Sequence, residues 1–209
     1  MKINEPKVSK CVSKNLMDAY TENEYNNCIF LKNIDKRIEI NNSILDSCIF
    51  GKINFTNIEL KEIDLLDVIF DGCDLSNKIF DNKLVSRVIF KNCKMIGTSF
   101  VNSSLKDVCF DSCSTRYINF SNSKLNSIIF KNTNLKEASF IGSNIKKIEF
   151  NNSSLEETEF FRVNLKNVDF SNCDINSTKF DFNSLNGIIV DKFQCVNLVG
   201  MLGIQVKED

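Results

Sequence analysis

The chain has 209 residues, 43% of them apolar, with Phe 18, Cys 9, Gly 7, Pro 1, Trp 0 and His 0. Without imidazole there is no Ser-His-Asp triad, no Cys-His pair and no His-ligated zinc, and the glycines never adopt a phosphate-cradling spacing. Lys+Arg 26 against Asp+Glu 27 leaves a net charge of −1, which excludes a strongly basic nucleic-acid binder. No apolar run approaches the ~18 residues of a membrane span, and MKINEPKVSK lacks the apolar stretch of a signal peptide. The expectation is a soluble, cytoplasmic protein with no cofactor and no membrane partner. The cysteines agree: they are odd in number and contain no CxxC pair, so they read as reduced fillers of the core.

In chain order, residues 1–25 keep a blurred version of a repeat, with Tyr20 and Tyr25 at multiples of five, and read as an N-terminal cap. Residues 26–190 carry the repeat itself. Every multiple of five from 30 to 185 is apolar except Asp35 and Thr115, and Phe fills 80, 90, 100 and every tenth position on to 180. Two residues earlier runs a second inward series, including Cys48, Ile58, Val68, Cys73, Cys93 and Val168. Five residues turn an α-helix by about 500°, so these side chains would spiral around it instead of forming a stripe. A flat strand would send alternate members to opposite faces. A three-residue strand followed by a corner satisfies the pattern, because a chain that bends every five residues points both apolar positions inward each time.

Four corners close a square coil of 20 residues, and stacked coils pair as parallel strands ~4.8 Å apart. One inner column then reads Phe30, Phe50, Phe70, Phe90, Phe110, Phe130, Phe150 and Phe170. The opposite one reads Ile40, Leu60, Phe80 and onward to Phe180. About eight coils make a rod of roughly 38 Å. Lys78 and Lys83 stand at inward positions, so a bulge near 76–87 is an open question.

The segments CIFLK, CDLSN, CKMIG, SKLNS, TNLKE, ASFIG, SNIKK and CDINS resemble the pentapeptide-repeat family over about 26–190. The resemblance implies an all-β fold, a right-handed quadrilateral β-helix. The chain departs from the family pattern in using bulky Ile at many first positions, where Ala or Cys is favoured.

After Val190 the period breaks, and residues 191–209 read as a short C-terminal helix and dimerisation segment. Asp191 is the expected N-cap and Gly200 the expected stop. Phe193, Val196, Leu198 and Val199 are placed on one side of the helix. With Met201, Leu202 and Ile204 they form the expected homodimer interface. The ending LNGIIVDKFQCVNLVGMLGIQV resembles the quinolone-resistance (Qnr-like) branch, which includes the mycobacterial fluoroquinolone-resistance protein. Matching positions are Asp191, Gln194, Leu198, Leu202, Gly203, Ile204 and Val206. That resemblance implies a two-fold dimer through the C-termini and a non-enzymatic rod that mimics DNA and binds DNA gyrase.

The charges support mimicry only in part. From 59 to 81 the acids Glu59, Glu62, Asp64, Asp67, Asp71, Asp74 and Asp81 face only Lys61 and Lys78, which makes them the candidate gyrase contacts. From 83 to 131 the balance turns basic. B-DNA carries one charge per ~1.7 Å of axis, far denser than this. The rival reading is a repeat scaffold of the same fold whose partner is unrelated to gyrase. No direct contact with nucleic acid is expected.

Overall fold

A computed structural model describes residues 1–201, 203–205 and 207. Residues twenty apart lie over one another. Strand β1 (Val12–Ser13) pairs with β2 (Cys28–Phe30), and from there β3 (Ile38–Gly51), β4 (Ile58–Asp71), β5 (Leu84–Lys91), β6 (Ser104–Asp111), β7 (Lys124–Lys131) and β8 (Asn144–Asn151) add one after another, all parallel. The register is Phe50↔Phe70, Phe70↔Phe90 and Phe90↔Phe110. Bridges such as Asp74↔Lys94 and Ser99↔Asn119 continue the ladder on the other two sides, ending at β9 (Glu159–Phe160) with β10 (Lys179–Phe180). The molecule is therefore a four-sided parallel β-solenoid of about eight coils.

The corners have a backbone signature. The residue two after each inward multiple of five is left-handed at most corners, as at Asn82 (φ 61°), Asn122 (φ 58°) and Asp67 (φ 55°). Asn tolerates this region better than other non-glycine residues, which explains its abundance at these positions. Gly takes some of the same corners: a Cβ on Gly142 (φ +67°) would stand 2.6 Å from Asn122 Oδ1 of the coil before, so that side chain would have to move aside.

The core is a lattice of phenylalanines. Within the column Phe30 to Phe170, successive rings lie 4.8–5.5 Å apart. The opposite column, Phe80 to Phe180, stacks at 4.9–5.6 Å. The two columns meet edge to face, Phe110 against Phe120 at 5.9 Å and 79°. Offset stacking and edge contacts suit the ring quadrupole and add about 0.5–1.5 kcal/mol per pair beyond area burial.

Small inward polar side chains tie each coil to the one below. Cys73, Cys93 and Cys113 Sγ donate to the carbonyls of Phe50, Phe70 and Phe90. Ser103, Ser123 and Ser143 Oγ do the same to Phe80, Phe100 and Phe120. Each bond reaches 23 residues back, so buried hydroxyls and thiols are satisfied without leaving the core. All nine cysteines are free; burial pushes the Cys48 thiol up to about 12 and Cys109 up to about 11.

The ladder has one interruption on the side that carries residues 60, 80 and 100. Phe80 N–H and Asn82 N–H donate to Ser99 O and Val101 O, and Phe100 and Asn102 repeat the pattern one coil on. Leu60 N–H and Glu62 N–H have no such partner in the coil that follows, and Leu84 N–H turns to Asp64 Oδ1 instead of a carbonyl. The break falls where the column changes from Ile40 and Leu60 to Phe80, and where Lys78 and Lys83 take inward positions. An ammonium resists the desolvation that Ile58 and Thr98 accept at the equivalent sites. The bulge near 76–87 is thus a cleft between coils.

Both ends differ from expectation. Within 1–25, helix α1 (Leu16–Glu22), capped by Asn15, covers the open end with Leu16, Ala19 and Tyr25 buried, while Tyr20 is exposed. Residues 1–11 do not cap. They run back along the outside of the rod: Cys11 Sγ donates to Ser47 O, Lys7 N–H to Asp67 Oδ1 and Asn4 Nδ2 to Asp107 Oδ2, and the Met1 ammonium pairs with Glu149. Three extended residues advance about 10 Å, the rise of two coils, which is why positions 4 and 7 meet corners 40 residues apart.

Helix α2 (Lys192–Met201) starts as expected. Asp191 Oδ1 accepts from Phe193 N–H and Gln194 N–H, and Gln194 Oε1 accepts from Asp191 N–H, a closed capping box. It does not stop at Gly200. Gly203, at φ 74°, lets Ile204 N–H reach Val199 O and closes the helix there.

Candidate functional site

The seven candidate carboxylates do not form one acidic face. They span a full turn of the coil, so they encircle the rod as a band: Glu59 on one side, Asp64 on the next, Asp74 on another, with Glu62, Asp67, Asp71 and Asp81 toward the corners. Residues close in sequence are thereby sent around the circumference, because 59 to 81 is one coil and a little more.

Each carboxylate is also engaged by the chain itself. Glu59 pairs with Arg37, whose guanidinium holds it below the usual carboxylate range, and Glu62 pairs with Lys83. Asp67 is buried and takes a two-pronged bond from Arg87, 2.6 Å from Nε to Oδ1 and 2.6 Å from Nη2 to Oδ2. The Arg87 bond outweighs burial and holds Asp67 low. Asp71 accepts from Asn92 at 3.2 Å, and Asp81 from Val101 N–H at 2.8 Å. At Asp74 burial raises the carboxyl, but Ser76 and then Lys94 overcome it and leave it low. Apart from the Arg37 and Ser76 bonds, these partners come from the following coil, so charges meant to face a partner also zip neighbouring coils together.

At the C-terminal end the structure separates the proposed interface residues. Gln194 turns inward, its Nε2 donating to Phe170 O at 2.9 Å and Cys173 O at 2.8 Å, and Leu198 packs against the core. Phe193, Val196 and Ile204 face outward; Phe193 is 71% exposed. Val199 is half-buried and Met201 ends the helix. Phe193, Val196, Leu198 and Val199 therefore do not share one side: those on the 194–198 side serve the rod, and those beside Phe193 remain free. Leu202 and Val206 lie outside the described residues. Phe182 and Ile189, on the last coil, add exposed apolar surface at this end.

Among the described residues, no cluster of three or more Cys, Asp or Glu side chains is arranged to hold a metal ion. No described helix is long and apolar enough to cross a membrane. The N-terminal strap was not anticipated. Ile3, Pro6, Val8 and Cys11 are its half-buried residues, and the column to which its partner Glu149 belongs reads Ile49, Ile69, Ile89, Cys109 and Ile129 in the coils before. That stripe, outward yet apolar at every twentieth position, was the available signal.

Two family models match the repeat, "Pentapeptide repeat region" over residues 63–140 and "Pentapeptide repeats (8 copies)" over 149–176, together just over half of the chain. The chain belongs to the pentapeptide-repeat family. Among solved structures, this pentapeptide-repeat chain is similar to a trypsin-treated variant of QnrB1, a plasmid-mediated fluoroquinolone resistance protein. The identity is 23%, covering 84% of this chain and 95% of that one, with a TM-score of 0.45. It is similar as well to HetL from the cyanobacterium Nostoc sp. strain PCC 7120, a pentapeptide repeat protein involved in heterocyst differentiation regulation. Here the identity is 16%, covering 85% and 96%, with a TM-score of 0.36. A pentapeptide repeat protein of the Arabidopsis thaliana thylakoid lumen is 20% identical over 56% of this chain and 80% of that one, at a TM-score of 0.27. No curated protein matches the chain.

Proposed function

We propose that this pentapeptide-repeat rod is a non-enzymatic binding protein whose partner is the DNA-binding surface of bacterial DNA gyrase, and that it acts as a dimer joined at the C-terminal helices. The observation that carries the reading is the C-terminal end. A capping box and Gln194 dock α2 on the last coil, and the docked helix holds Phe193 and Val196 out to solvent, while Phe182 of the last coil is exposed as well. Exposed apolar side chains at a rod's end suit a second copy meeting them about a two-fold axis, which doubles the rod's length. The ending also carries the residues that resemble the Qnr-like branch. The band of Glu59, Glu62, Asp64, Asp67, Asp71, Asp74 and Asp81 supplies the acidic contact in this reading, with Glu62 the most available of its paired members at 65% side-chain exposure.

The second reading, a scaffold for a different protein, is favoured by one observation. The band's carboxylates are spread over all sides and already bonded within the rod, which weakens the field a mimic of DNA would project. A supercoiling assay with purified gyrase, with and without ciprofloxacin, separates the two. Altered supercoiling or altered drug-stabilised cleavage at micromolar protein supports the gyrase reading. No change in either, with no co-purification of gyrase, leaves the scaffold reading. Light scattering tests the dimer, with Phe193→Asp expected to give a monomer.

A further inference from the structure

The cleft between the coil of 58–63 and that of 78–83 has about 490 Å³ of accessible space and is lined by Leu60, Glu62, Lys78, Ile79, Asp81 and Lys83, among others. This is within the range of small-ligand sites. Its walls are polar main chain that the rest of this side uses for pairing: Leu60 N–H and Glu62 N–H have no acceptor across it, whereas Phe80, Asn82, Phe100 and Asn102 all do.

The side chains around it are mostly spoken for. Glu59 pairs with Arg37, Lys61 with Glu39, Glu62 with Lys83, and Asp81 accepts from Ser99 and Val101. Lys78 alone of the charged lining residues makes no ion pair or side-chain hydrogen bond, although it is half-buried and burial holds it below the ordinary lysine value. Glu59 and Asp74 act on it from beyond bonding distance without offsetting its burial, and a partly desolvated ammonium with no bonded counter-charge is costly unless a ligand supplies one. Lys61 and Lys83 bond Glu39 and Glu62, and Glu59 bonds Arg37, so Lys78 is the one cation of the lining left to meet a single added negative charge. Ile79, 64% exposed, adds an apolar shelf.

We propose that this cleft is a binding site for a monoanionic carboxylate carried on an apolar body, with Lys78 as its counter-ion and the Leu60 and Glu62 N–H groups as its hydrogen-bond donors. The site is independent of the gyrase reading and stands on this side of the rod alone.

The test is a titration of the ¹⁵N-labelled full chain with N-acetyl-leucine, followed by amide shifts. The expected result is saturable movement of the Leu60, Glu62 and Ile79 amides, with little movement at Phe120. Leucinamide, which has the body without the carboxylate, is expected to leave these amides in place, and inorganic phosphate to bind at least tenfold more weakly. Lys78→Gln, which relieves a half-buried charge and so preserves the fold, is expected to weaken binding at least tenfold. Absence of shifts at millimolar N-acetyl-leucine, an equal response to leucinamide or phosphate, or unchanged affinity in Lys78→Gln would overturn the proposal. Slow hydrogen exchange at Leu60 and Glu62 in the free protein, matching Phe80 and Asn82, would overturn it too, because the ladder would then be closed.

Discussion

The coils before the cleft and those after it are built to one repeat but filled differently. Before it, β3 and β4 each run for 14 residues around successive corners, and the column facing Phe50 is aliphatic, Ile40 and Leu60, with Phe55 reaching in from the neighbouring column to touch Phe50 and Phe70. After it, strands shorten to 8 residues on two sides, the other two keep single bridges, and Phe80 to Phe180 fill the column. The two halves are thus filled by side chains of different size, and the chain passes from one to the other at the coil that carries Lys78 and Lys83. A solenoid tolerates such a seam because each coil contacts only its neighbours.

The largest expected effect lies in the aromatic half. Phe110 touches Phe90, Phe130, Phe100 and Phe120, so Phe110→Ala should cost about 3–5 kcal/mol in urea denaturation, and Leu60→Ala beside the cleft about 2 kcal/mol, at the low end for such truncations. Equal losses would erase the distinction between the halves. Next comes the Asp67–Arg87 pair, which joins β4 to β5 just beyond the seam. Arg87→Ala leaves a buried carboxylate unpaired and should cost about 2–3 kcal/mol, below the figure for a fully buried pair because Arg87 is 25% exposed.

The same pair sets a pH dependence. Asp67 is depressed in the folded state, so its stabilisation is present above the unfolded Asp value and is lost as pH falls through the folded one. Urea midpoints between pH 6 and pH 2 should fall less steeply in Asp67→Asn than in the parent chain; identical slopes would remove Asp67 from the account. A smaller effect, of opposite sign, is expected at the seam: Lys78→Ile, which restores the residue type of position 58, should stabilise by about 1 kcal/mol and slow exchange at Leu60 N–H. The smallest is removal of residues 1–8. It should leave the cooperative unfolding of the coils in place, change stability by about 1 kcal/mol or less, and raise hydrogen exchange beside Asp67 and Asp107 without affecting the Phe160–Phe180 end.

Much of the rod was legible because its period is enforced locally. Each fifth side chain must point inward, and a slip of one residue would expose a Phe. The two Phe columns and the start of α2 at Asp191 both follow from side-chain type and spacing. The left-handed corners left a weaker trace, in the Asn and Gly that recur two residues after many of the inward positions. The dispersal of the acidic band was not legible, because nearness along the chain, over about twenty residues, means separation around the circumference. The sharing of one side by Phe193 and Leu198 failed for a related reason: both are apolar, but Gln194 fixes the roll of the helix through two carbonyls of the last coil, and a composition of apolar residues does not encode that roll.

The amino-acid order alone determined that this chain coils in fives, that Phe rings stack within it, and that its surface charges nearly cancel, since each is a property of residue type at a fixed interval. Only the tertiary structure decided where that regularity yields: the open seam at Leu60, the strap of residues 1–11 along the corner of Asp67 and Asp107, and the partner of each carboxylate. Those depend on how far apart two coils settle and on which side chain of the next coil arrives opposite. Such distances are set by packing across the rod, which the sequence specifies only in sum.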